Sequence, residues 1–150
     1  MMPGMASPYH PPPIETAEDP VHSTADLCRR WQALMGPLGF GERLLWFTLI
    51  GPDRCLIKVL HQIVIPASPQ NRHGEELFEM LRGVLDAFEP GATVALLLTR
   101  PGSGPLSNAD KRWATMLTET AAQFDIPLEP IFRANSTAVV HVPPNLLASR

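Results

Sequence analysis

The chain has 150 residues, 45% of them apolar and 18% charged, which suits one globular domain whose core needs neither disulfides nor metal. Its formal charge of −3 comes from residues 1–24, which hold Glu15, Glu18 and Asp19 and no Lys or Arg, leaving twelve acidic against twelve basic residues in 25–150. A neutral body lacks the clustered Lys and Arg that give affinity for phosphate backbones, so a nucleic-acid partner is not expected.

Residues 1–23 contain six of the 17 prolines and few large apolar side chains, which predicts a disordered Pro-rich tail ahead of a single domain over 24–150. The opening MMPGMASPYHPPP has neither the basic nor the apolar region of a secretory signal. A helix is expected from Thr24, where Leu27, Trp31 and Leu34 recur at helical spacing until Gly36–Pro37 stops the run. Leu44–Ile50 and Cys55–Ile65 read as two strands of a hairpin about the turn Gly51–Pro52–Asp53–Arg54. Glu75–Phe88 carries one apolar stripe and acidic residues in its first turn, the pattern of an amphipathic helix. Thr93–Thr99 is apolar on both faces, as a central strand covered from each side would be. After the loop Pro101–Pro105, Ser107 caps a helix with the stripe Trp113, Leu117, Ala121 and Phe124. Leu128–Arg133 and Thr137–Val142 follow as strands about a turn at Asn135–Ser136. The expected class is therefore α/β, a three-layer α-β-α arrangement around a mixed central sheet.

Residues 97–134, LLTRPGSGPLSNADKRWATMLTETAAQFDIPLEPIFRA, resemble the RadC branch of the JAB/MPN metal-hydrolase family. In that branch an apolar strand runs into His-Asn-His-Pro-Ser-Gly, followed by a Pro-Ser-x-x-Asp helix start, a long helix and a Gly-Ile-Pro-type entry into a strand. A hairpin bearing a Glu and a helix precede them, so the likeness spans about residues 42–142. It implies the JAB/MPN (cytidine-deaminase-like) topology. It also implies a zinc held by two histidines and an Asp, with the Glu as general base for metal-bound water. Carried onto this chain, the histidines fall on Leu98 and Arg100, the Glu on Leu60, and the Asp on Asp110, with the loop one residue short. Leu98 has no lone pair, and Arg100 puts a fixed charge where the cation would sit. The expectation is a catalytically inactive member of the family, without metal or cofactor, acting as a regulatory or scaffold subunit on a protein partner or as a homo-oligomer. Arg100 is expected to pair with Asp110 in place of the metal's charge. Asp110 also completes the capping-box pattern Ser107-Asn-Ala-Asp110.

Two further readings stay open. A hydrolase with a non-standard ligand set would draw on His61 and Asp110. An anion or small-molecule module would use the glycine-containing loop with Arg100, Ser103 and Ser107. His22, His73 and His141 have no metal-pair spacing. Cys28 and Cys55 fit neither a metal site nor a disulfide framework, which predicts reduced thiols in a cytoplasmic protein. No apolar run reaches the roughly 18 residues of a membrane span. Trp31, Trp46 and Trp113 sit on apolar faces and are expected in the core.

Overall fold

The run TVALLLT leaves no polar face for water, and in the structure it becomes the buried spine of a sheet. In this computed structural model, which describes residues 10–88 and 90–144 apart from the side chains of Lys58 and Val59, Val94 to Leu97 are fully buried. The elements in order are α1 (Thr24–Met35), β1 (Leu44–Ile50), β2 (Leu56–Val64), α2 (Asn71–Asp86), β3 (Thr93–Thr99), α3 (Asn108–Gln123), β4 (Phe132–Ala134) and β5 (Val139–His141). The sheet runs β2-β1-β3-β4-β5. Only the β3–β4 pair is parallel; β1 is antiparallel to both β2 and β3, and β4 to β5.

Alternation along the strands divides the core in two. Leu45, Phe47 and Leu49 of β1 with Leu96 and Leu98 of β3 pack beneath α2 and α3. Ile50, Ala95, Leu97 and Phe132 pack on the other side against Leu27 and Trp31 of α1. The helices thus cover both faces of a mixed, open sheet. Trp31 and Trp113 are fully buried, and Trp46 is half-buried with its indole N–H donated to Thr99 Oγ1 at 3.0 Å.

Four expectations need correction. The segment expected to be disordered up to residue 23 is ordered from at least Ile14, where a 3-10 turn spans Ile14–Glu18. Ala17 and Val21 are buried, and two arginines bond the carbonyls of this segment. Arg30 donates to the carbonyls of Asp19 and Pro20, and Arg54 donates to that of Val21. Residues 1–9 and 145–150 lie outside the described residues.

The second helix begins at Asn71 rather than Glu75. Its first turn holds no acid; instead His73, in that turn, accepts at Nδ1 from the Gln70 N–H at 2.9 Å. The last two strands are shorter than their apolar runs. Pro130 has no N–H for a ladder, and Leu128 manages only an isolated bridge to Val94. Finally, the strand expected over Cys55–Ile65 spans Leu56–Val64 and is interrupted by a bulge, with the register against β1 shifting between Thr48 and Leu49.

Helices α2 and α3 meet at Gly74. A Cβ built there would lie 2.7 Å from Met116 Sδ, closer than real contacts allow, and 3.0 Å from Thr120 Oγ1, at their limit. Gly74→Val is therefore expected to lower stability by about 1–3 kcal/mol through overpacking, read as a lower urea midpoint.

Candidate functional site

The three C-terminal positions of the expected site come together where β3 ends. Leu98 lies in the core beneath α3, Arg100 follows it on the same side, and the first turn of α3 brings Asp110 over Arg100. Leu60 does not join them. It pairs with Thr48 and, with Ala17 and Leu34, borders a groove on the α1 face of the sheet, the opposite side from Asp110. On the α3 side, the β2 residue in line with Leu98 is Ile63, through the pairs Ile63–Leu45 and Leu45–Leu98. The next residue on that side, His61, stacks on Phe47 with ring centroids 5.2 Å apart.

The expected ion pair is present and close. Arg100 Nε lies 3.0 Å from Asp110 Oδ1, and Arg100 Nη2 lies 3.0 Å from Oδ2. Arg133, which the sequence reading did not include, adds a second cation: its Nη1 sits 3.4 Å from the same Oδ2. In sequence it shows only as a lone charge inside an apolar strand. Its side chain is 1% exposed, and its Nε has no hydrogen-bond partner. Two guanidiniums thus face one carboxylate in a site closed to solvent.

The capping box is formed as well. Ser107 Oγ accepts from the Asp110 N–H at 3.1 Å, and Asp110 Oδ2 accepts from the Ser107 N–H at 2.9 Å. Helix capping and charge matching therefore share one carboxylate.

The loop over the site is built from backbone that favours glycine. Gly102 and Gly104 have φ of 93° and 95°. Their carbonyls point inward: Gly102 accepts from the Ser136 N–H, and Gly104 from Asn135 Nδ2 at 3.0 Å. Asn135, fully buried, also accepts from the N–H groups of Thr137 and Ala138, which ties the β4–β5 turn to the loop. Arg100 donates further to the carbonyls of Pro101 and Pro105.

These bonds bear on the anion reading. The donors that an anion would need from Arg100 already face Asp110 and two carbonyls, Ser107 is engaged in the cap, and Ser103 is exposed on the loop.

Burial pushes the Asp110 pKa up, but the hydrogen bonds from Arg100 and Ser107 and the charges of Arg100 and Arg133 outweigh it, so its carboxyl titrates below the usual range. Burial lowers the Arg133 pKa, and Arg100 adds to the effect while Asp110 opposes it. A second, smaller pair ties the hairpin turn to the approach to β4: Arg54 Nη1 lies 2.8 Å from Glu129 Oε2. Glu129 titrates low as well, since Arg54 and Thr93 together overcome its burial.

Among the described residues no group of three His, Cys, Asp or Glu is placed to hold a metal ion. Cys28 is half-buried with its Sγ 3.5 Å from the Val139 carbonyl, and burial raises its thiol pKa, the reverse of activation. Among the described residues, no helix is long and apolar enough to cross a membrane.

Comparison with known proteins adds no family. No protein-family model matches the chain, and no curated protein is significantly similar to it.

Removing the charge of Asp110 while keeping its shape would leave two buried cations uncompensated. Asp110→Asn is expected to cost about 3 kcal/mol or more in urea unfolding. The pH dependence follows from the sign of the shift. A carboxyl with a lowered folded pKa contributes stability that is complete above the unfolded value and lost as pH falls through the folded one. Wild-type stability should therefore drop below about pH 4, the ordinary aspartate range. Asp110→Asn should show a shallower acid loss in the same titration. An equal acid loss in both proteins would show that Asp110 is not the responsible group.

Proposed function

We propose that the chain is a catalytically inactive domain of RadC/JAB-like descent that works through contact with another protein. The order of elements supports this descent: a hairpin, a helix, a central strand, a tight loop, a capped helix and a further strand, in a sheet ordered β2-β1-β3-β4-β5 with helices on both faces. The loss of chemistry rests on Leu98, Arg100 and Asp110. Asp110 is the only carboxylate at those positions, and its oxygens accept from Arg100, Arg133 and Ser107.

The observation that carries the protein-contact reading is the outer rim of the sheet. Leu60, Ile63, Val64 and Met80 are 39%, 40%, 70% and 47% exposed, and they gather on β2 and the helix beside it. Large side chains of this kind grouped on an open sheet edge mark an interaction surface more often than an ordinary exterior.

Metal content after purification without chelators tests the inactive reading. The expected result is less than stoichiometric zinc, and one zinc per chain would overturn it. Substituting Val64→Lys tests the surface. A side chain this exposed makes few internal contacts, so the thermal midpoint should stay within about 2 °C of wild type, with any change falling on association.

A further inference from the structure

The interaction reading leaves open what covers β2, and the geometry of that strand points to one occupant. We infer that β2 pairs antiparallel with β2 of a second copy of this chain about a two-fold axis at Gln62, joining the two sheets into one. This rests on the protein-contact reading above and names its partner.

The pairing of β2 with β1 decides which of its backbone groups point outward. The Ile65 N–H donates to the Arg43 carbonyl at 3.1 Å, so Ile65 faces β1. In an antiparallel ladder, inward and outward residues alternate. Ile63 and His61 therefore bond to β1, while the N–H and C=O groups of Leu60, Gln62 and Val64 point away from the sheet. With β2 at the end of the strand order, no strand lies beyond them among the described residues.

Those three outward residues are symmetric about Gln62. Placed against its own two-fold mate, Gln62 faces Gln62, Leu60 faces Val64 and Val64 faces Leu60. Every outward donor then meets an outward acceptor, giving six backbone hydrogen bonds.

The neighbouring registers lose bonds. Shifting one way sets Leu60 against Pro66, which has no N–H and whose carbonyl already accepts from Trp113 Nε1 at 3.1 Å. Shifting the other way carries the pairing into the bulge that follows Leu60 toward the turn.

Side chains and charge fit the same register. Leu60 and Val64, both exposed, cover each other on the α1 side. On the other side Ile63 lies opposite His61, above an open groove of about 470 Å³ bordered by Met80 and Leu77. The stretch LHQIV carries no Asp, Glu, Lys or Arg, and residues 25–150 are neutral overall, so two copies bring no like charges together at the contact. Lys58, the one charged residue of β2, falls outside the paired five. Edge strands without a central charge are the ones that pair.

Sedimentation velocity of the full chain at tens of micromolar reads the mass. A dimer is expected for wild type, with Val64→Lys and Gln62→Pro shifted to monomer. Proline at 62 removes an outward N–H and spares the ladder to β1, so circular dichroism and melting should stay close to wild type. The register is read separately: Gln62→Cys should form a disulfide-linked dimer on mild oxidation, because facing residues of a hydrogen-bonded antiparallel pair lie about 5.5 Å apart at Cα, within disulfide range. Wild type, with Cys28 and Cys55 alone, should not. A monomeric wild type overturns the self-pairing, as does a dimer that survives both substitutions. Neither result touches the zinc measurement on which the inactive reading stands, so the two can fail independently.

Discussion

A carboxylate removed from water has to be matched by charge, and Asp110 is matched by two guanidiniums from different parts of the chain. Arg100 comes from the end of β3, Arg133 from β4, and Asp110 itself from the first turn of α3. The parallel β3–β4 pair, the helix that crosses over between them and the loop 101–105 are fixed relative to one another at this point. Isolated, each of these ions would bear a desolvation cost of several kcal/mol. Together they satisfy most of their hydrogen-bonding capacity, and the capping bonds of Ser107 use the same carboxylate for helix α3. What is left over is positive charge and one unpaired Nε on Arg133.

From that knot the rest of the architecture follows outward. Trp113, one turn after Asp110, donates its indole N–H to the carbonyls of Pro66 and Ala67, so the same helix turn also pins the segment leaving β2. Gly74 lets α2 approach α3 closely enough to close the layer on that side. On the other face, Arg30 and Arg54 hold the proline-bearing segment over α1 and the hairpin turn. Polar groups organise each junction, while the apolar strands supply the burial between them.

The elements with periodic apolar patterns were legible in the sequence: β3 matches its run residue for residue, and the cap at Ser107 with Asp110 is where the motif placed it. So was the Arg100–Asp110 pair, because the resemblance aligned a cation against a helix-start acid. Three features were not. Arg133 and Asn135 act through tertiary contacts, and one sequence cannot say that an arginine in an apolar strand will face a buried acid. The ordering of residues 14–23 depends on Arg30 and Arg54, which reach it from distant positions. The face of Leu60 depends on strand parity across a bulge, and a one-residue slip sends a side chain to the other side of the sheet.

The side of the sheet on which Leu60 lies has a consequence for descent. Under the proposed ancestry, putting histidines back at 98 and 100 and a glutamate at 60 would not rebuild a hydrolase, since the base would project away from the other three. Replacing Arg100 would also strip Asp110 of its main counter-ion before any metal could take over that role. Under that ancestry, the step that removes Arg100 passes through a less stable protein, because it leaves Asp110 with Arg133 alone as a counter-ion. The Arg100–Asp110 pair would then hold the chain in its present form by the same contact that fastens α3 to the end of β3.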